Sequence, residues 1–227
     1  MTVSTRKAAG QARKAPARTQ DPEGARRNII EVAAEEFALN GLSGARIDEI
    51  AARTRFSKRM IYYYFGDKEG LYLRALEDAY CETRASEAKL DTKGLPPVEA
   101  LRQLVEFTFD HHHRHEDFIR LVMIENIHRA KYLKRSEVIR KINASAIDHI
   151  AAIYKEGVAK GIFRLGIDPV ELHWLVSALC FFNVSNRATF SLIFGRDFGS
   201  EELLNRLRQN VVGAVLRFVA KSEKDSE

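Results

Sequence analysis

Hydrophobic and polar positions of the 227-residue chain alternate with a helical period almost from end to end. Ile30, Ala33, Ala34 and Phe37 recur at spacings of three and four, which gathers them on one helix face. Asp21-Pro22 offers an N-cap and a proline at the first helical position, and Asn40-Gly41 a stop. The pattern predicts a second, short helix from Ile47 to Thr54 that buries Ile47, Ile50 and Ala51. Ser57 is a good N-cap for a third, with Phe56 and Ile61 at the positions of a hydrophobic staple and Ile61 and Phe65 facing inward. Asp67 caps a longer helix through about Lys89, and "TKGLPP" ends that run. Beyond it, helices are predicted over about 98–112, 117–128, 135–160, 169–194 and 201–220. "DPVE" at 168–171 combines an N-cap, a proline and a capping-box glutamate. Leu203, Leu204, Leu207, Val211, Val215 and Phe218 form the stripe of the last helix. No strand pattern and no fixed repeat is present, so the fold class is all-α.

Three regions follow: a basic tail at 1–20, a helix-turn-helix module at 21–66, and a larger helical domain at 67–221. The tail holds Arg6, Lys7, Arg13, Lys14 and Arg18 with no acidic residue, and accounts for the whole formal charge of +5. It reads as disordered, either touching an anionic polymer or serving as a solubilising leader. The body is neutral, so the basic cluster at 53–59 is a local feature. Cys81 and Cys180 lie far apart and fit small buried residues of a reduced, cytoplasmic protein better than a disulfide framework. No signal peptide is visible, and the longest apolar run, 174–184, is too short to span a bilayer; no membrane partner is expected.

The stretch "RTRFSKRMIYYYFGDKEGLY" carries the chemistry. Arg53, Arg55, Lys58 and Arg59 precede Tyr62, Tyr63 and Tyr64, which cannot share one helix face because neighbours are about 100° apart. Two short helices with a tight connection are the pattern of a helix-turn-helix, whose second helix enters the DNA major groove N-terminus first. Lys58 and Arg59 stand at that N-terminus, where phosphate is also attracted. Arginine can bind the O6 and N7 of guanine with two hydrogen bonds. Tyrosine hydroxyls donate to phosphates while their rings pack on sugars or thymine methyls. Tyr64 stands evenly between that role and packing of the motif.

Residues 25–72 resemble the DNA-binding domain of the tetracycline-repressor (TetR) family of bacterial regulators. The resemblance rests on "IIEVAAEEFALNGL", "IDEIAARTRFS" and "IYYYFGDKEGLY", which match the family's first four helices in residue type and spacing. "GVAKGIFRLGIDPVEL" is similar to the segment that often precedes the family's dimerisation helices. The resemblance implies a homodimer, with a small effector in the larger domain controlling affinity for an operator. Two-fold symmetry would make that operator palindromic. By carry-over, Tyr62, Tyr64 and Lys68 hold phosphates, while Lys58, Arg59 and Tyr63 face bases. Departures are Ala45 and Arg46, where the family often has a phosphate-binding threonine or serine, so that Arg46 is expected to replace that phosphate contact from farther out, and Arg59, where glycine is frequent. Glycine is also usual where this chain has Arg55; a left-handed backbone there would be strained, so a local change in the turn is expected. The reading is a regulator, most readily a repressor released by a small molecule, paired through the last two helices because these carry more apolar surface than one subunit covers.

The competing reading is "HHHRHED" at 111–117. His111 and His115 are four apart, as two metal ligands on one helix face would be. A metal-responsive regulator or metal-binding helical protein therefore stands against an ordinary polar helix end, where imidazolium is favourable. No catalytic or cofactor-cradling motif is present, so neither enzyme activity nor a cofactor is expected. Candidate effector contacts are the aromatic and polar residues on apolar helices: Phe107, Phe118, Met123, Asn126, Trp174, Phe181 and Asn183.

Overall fold

The computed structural model describes residues 21–221. The expectations attached to the tail at 1–20 lie outside the described residues. Among the described residues ten α-helices follow one another: α1 Pro22–Gly44, α2 Ile47–Thr54, α3 Lys58–Phe65, α4 Lys68–Glu87, α5 Pro97–Arg114, α6 Glu116–Ile127, α7 Glu137–Ala159, α8 Pro169–Ser185, α9 Arg187–Phe194 and α10 Glu201–Val219. A 3-10 turn at Leu133–Arg135 leads into α7. The extended pairing among the described residues is one isolated antiparallel bridge, Phe163 to Ala220, which ties the α7–α8 loop to the end of α10.

Side-chain caps set four of the ten described helix starts. Ser57, Asp67, Ser136 and Asp168 each place a side-chain oxygen on an N–H of the helix they open. Asp168 reaches Val170 N at 2.6 Å, and Asp67 reaches Gly70 N at 2.7 Å. Asp21 precedes Pro22 as expected but makes no such bond. At Gly41 (φ 67°) α1 breaks, and a single further turn carries the chain to Gly44. The expected unbroken helix over 169–194 is two helices. Asn186 sits at φ −108°, ψ 0° between α8 and α9, and donates through Nδ2 to Ser185 Oγ at 2.8 Å. Side chains of this kind compete with the helix ladder for partners. Phe190 then turns α9 back over Phe182, their rings 5.2 Å apart.

Two cores result. The first packs Ile29, Ala33 and Phe37 of α1, Ile50 of α2 and Ile61 of α3 against Leu71, Tyr72 and Leu76 of α4. It also takes in Leu121, Tyr132 and Ile139, so α6 and the start of α7 close the helix-turn-helix end of the molecule. The second joins α5, α7, α8 and α10 through Leu101, Val105, Phe109, Ile150, Leu172, Val176, Cys180, Val212 and Val215. Cys180 is fully buried, and burial pushes its thiol up to about 12; Cys81 is only half-buried. Val211 and, partly, Leu207 belong to this second core, whereas Phe218 of the expected stripe is exposed. No described helix is long and apolar enough to cross a membrane.

Candidate nucleic-acid interface

The turn between α2 and α3 is fixed from both sides. Thr54 is buried, donates to Ile50 O at 2.7 Å and accepts from Phe56 N at 3.4 Å. Arg55 adopts the left-handed conformation, φ 60°, ψ 18°. The turn thus keeps the geometry a glycine would favour, and the expected local change does not occur; arginine carries the strain instead. Ser57 then opens α3 by accepting from Met60 N at 3.3 Å. Ile61 is buried and Phe56 and Phe65 pack beside it, which directs the opposite face outward.

That outward face is basic and phenolic. Arg59, Tyr62 and Tyr63 are exposed, Tyr63 at 81% of its surface. A tyrosine so exposed has little structural reason to be there. The first turn of α3 has no acidic residue. Lys58 and Arg59 in that turn oppose the helix dipole, an unfavourable placement that a bound phosphate would offset. Lys58 pairs with Asp48 and Arg46 with Glu49 at 3.7 Å, so both cations are held at the surface by exchangeable partners. The backbone of Arg46 is fixed from below, because the buried Glu36 accepts from its N–H at 3.1 Å. Lys68, at the start of α4, donates to Ser43 O at 3.2 Å and brackets the motif from the other side. Gly70 lets α4 begin here: a Cβ would lie 2.2 Å from Phe65 O.

Tyr64 resolves toward packing. Its ring is half-buried, edge-on to Tyr63 and Phe65, with the Arg26 guanidinium 4.9 Å from its centroid. Arg26 was missed by sequence reasoning; it is exposed and extends the basic surface of α3 onto α1. The pair Arg26-Arg27 was the available signal, but only the fold sets it beside Tyr64.

The candidate effector residues do not converge on one cavity. Trp174 is 77% exposed on the outer side of α8, and Asn126 is exposed with its Nδ2 bonded to Val122 O of its own helix at 3.0 Å. Asn183 likewise bonds to Leu179 O at 2.6 Å. Phe107 stacks on His111 at 5.4 Å, and Phe118 is buried against Tyr80. Met123 and Phe181 are half-buried on α6 and α8. An opening of about 660 Å³ lies elsewhere, between the end of α4, the α4–α5 loop and α7.

His111 and His112 of the histidine cluster are interior structure, whereas His113 and His115 are half-buried. His111 Nε2 and Thr83 Oγ1 are 3.2 Å apart, and the His111 and His115 rings lie 4.2 Å apart. Burial holds His111 down to about 4 and His112 down to about 3. Among the described residues no three histidine, cysteine or carboxylate side chains are grouped as a metal ion requires, so the geometry does not support the metal-responsive alternative.

A capped recognition helix with outward cations and phenols, set on a larger helical domain, defines a helix-turn-helix DNA-binding protein. Residues 29–75 match the bacterial regulatory proteins of the tetR family, and residues 97–215 match the tetracyclin repressor-like C-terminal domain. The HTH-type transcriptional repressor NicS of Pseudomonas putida is 35% identical over 85% of this chain and 91% of its own. Among solved structures, a transcriptional regulator from Streptomyces coelicolor has a TM-score of 0.65 at 24% identity, covering 86% of this chain and 98% of that one. FadR from Bacillus subtilis, solved in complex with stearoyl-CoA, also reaches 0.65, at 18% identity, covering 85% and 98%. The chain belongs to the tetR family of bacterial regulatory proteins. It is a DNA-binding transcriptional regulator, and its relatives are regulators rather than enzymes.

Proposed function

We propose that this regulator acts in the cytoplasm as a homodimeric repressor that binds a palindromic operator and leaves it when a small molecule occupies the C-terminal domain. The observation that carries the DNA-binding surface is the outward face of α3, with Arg59 and Tyr63 exposed and cations in its first turn. Lys58, Arg59 and Tyr63 read bases; Arg46, Tyr62 and Lys68 hold phosphates, with the Tyr64 ring bracing them. Repression is supported by the relative NicS, a transcriptional repressor. Effector control is supported by a fold neighbour that holds stearoyl-CoA and by a cleft of about 660 Å³, within the usual range of small-molecule sites.

Selection of duplexes from a random pool by the purified full chain tests the reading. An inverted repeat with half-sites about 10 base pairs or a multiple apart is expected. Enrichment of no sequence, or of one unrepeated half-site, would overturn it.

A further inference from the structure

A second basic surface lies outside the helix-turn-helix, on the turn from α6 into α7. Of the thirteen residues 129–141, six are lysine or arginine and one, Glu137, is acidic. All six cations, Arg129, Lys131, Lys134, Arg135, Arg140 and Lys141, are exposed. The turn that carries them is anchored from inside. The buried Glu125 carboxylate accepts from Tyr132 N and Leu133 N, and from the Tyr72 hydroxyl of α4. Tyr132 is buried edge-on to Tyr72, and the Lys131 ammonium lies 4.8 Å from the Tyr132 ring centroid. Arg129 and Ala130 both take the left-handed conformation, φ 55° and 56°, which is costly for residues with a Cβ. Ala130 N is held there by Glu125 O at 2.7 Å. Such strain persists only where the surroundings over-determine it. The cations therefore stand at fixed places instead of on a loose loop.

Those places adjoin the candidate interface. Glu69, in the first turn of α4, pairs with Arg135 at 3.1 Å and with Lys131 at 3.9 Å. Its chain neighbour is Lys68, so the basic turn continues the surface formed by α3 and the start of α4. One carboxylate cannot neutralise the cluster, and Arg129, Lys134, Arg140 and Lys141 make no ion pair with another described residue. Fixed, unneutralised cations suit a partner with closely spaced negative charges. Duplex DNA carries one such charge per about 1.7 Å of its axis. We propose that the α6–α7 turn is a second DNA contact, in which Arg129, Lys131, Lys134 and Arg135 hold operator phosphates beyond the groove that α3 enters. The inference rests on the reading that α3 enters DNA. Contacts to phosphate add affinity and fix position without reading bases. Glu125 ties the turn to Tyr72 of α4, so the two contacts keep a set spacing.

The test titrates the full chain with a selected operator and with a scrambled duplex at several salt concentrations. Arg129→Gln with Lys134→Gln changes two exposed cations that make no ion pair or side-chain hydrogen bond among the described residues. For both duplexes the slope of log affinity against log salt should fall by about two, since each phosphate contact contributes about 0.9. The preference for operator over scrambled duplex should match the parent's. Arg129→Lys with Lys134→Arg keeps the charge and should keep the parent slope. Should the glutamine pair fail to fold, Lys134→Gln alone replaces it, with an expected fall of about one. An unchanged slope in a folded glutamine variant overturns the inference, as does a lost preference, which would mean that the turn reads bases. A glutamine pair that keeps its DNA slope but no longer binds phosphatidylglycerol vesicles that the parent binds also overturns it, in favour of a lipid surface. Arg59→Ala separates the two readings. If it weakens operator binding while the glutamine pair does not, only the turn is refuted; a parent that binds no duplex refutes the α3 reading itself.

Discussion

The Tyr72 hydroxyl donates to Glu125 Oε1 at 3.0 Å, joining α4 to α6 in a fully buried contact. The other oxygen of Glu125 accepts from Tyr132 N at 3.2 Å and Leu133 N at 2.9 Å, so this carboxylate also fastens the turn into α7. Burial and the neighbouring carboxylate hold the Tyr72 phenol well above its ordinary range, so it remains a donor. The DNA-binding end and the C-terminal domain meet through this carboxylate. Tyr72→Phe should cost about 1–3 kcal/mol, the penalty for leaving a buried acceptor short of a donor. Adding Glu125→Gln should cost less than the two single changes summed, because both act on one network. Urea melts of the four proteins check this, and strict additivity would show that the contact carries no coupling.

Arg55 supplies a second test. Its left-handed backbone costs a residue with a Cβ about 1–2 kcal/mol, partly offset by the greater freedom of glycine in the unfolded chain. Arg55→Gly should therefore raise stability by up to about 1 kcal/mol, and Arg55→Val, branched at Cβ, should lower it by at least as much. Thermal melting decides the matter, and a melting temperature that falls in Arg55→Gly would place the strain elsewhere.

These two sites divide what the sequence discloses from what it withholds. Ser57, Asp67 and Asp168 announce their helices because a cap bonds within three residues of itself, so helix order and the recognition helix were readable. The Tyr72–Glu125 pair spans 53 positions and Arg84 meets histidines of α5 and α8; such partners exist only once helices pack. The apolar stripe of α10 was readable as apolar, but which stretch of it faces its own subunit was not: Leu207 and Val211 turned inward.

At the proposed DNA interface, Arg59 of α3 and Lys68 of α4 should separate by kind. Arg59 is exposed on the outward face of α3, so Arg59→Ala should cost about 1–3 kcal/mol and relax preference at one position of each half-site. Lys68→Ala should weaken all duplexes alike and reduce the salt slope by about one. Titrations of a selected operator and a scrambled duplex at several salt concentrations distinguish the two, and identical behaviour of both variants would displace the interface.

The buried histidines predict acid sensitivity with a definite sign. His111 and His112 titrate near 4 and near 3 in the folded protein, below the ordinary histidine value of 6.5 that applies when unfolded. Between those values the unfolded chain binds more protons, so stability present above pH 6.5 is lost as pH falls toward 4. The combined loss is on the order of a few kcal/mol. Denaturation midpoints across that range should fall, and His112→Gln should flatten the slope. A midpoint independent of pH would show both imidazoles reaching solvent.

The proposed dimer seam is redefined by burial. Leu207 and Val211 lie in the second core of the subunit, so glutamate there would unfold the domain instead of separating one copy from its mate. A group of uncovered apolar side chains lies on α8 and α9: Val170, Trp174 and Phe182 on the first, and Leu192, Ile193 and Phe194 on the second, with Leu192 84% exposed; Phe218 of α10 is uncovered as well. Exposed apolar residues in such number mark a surface that is covered in the functional protein. Val170→Glu with Trp174→Glu should leave the fold intact, since both side chains are mostly exposed, while setting four like charges across a two-fold seam. Light scattering at micromolar concentration should then report a monomer with an unchanged helical circular-dichroism spectrum, and operator affinity should collapse because half-sites are no longer read together. A double variant that stays dimeric and keeps its operator would move the two-fold axis away from α8.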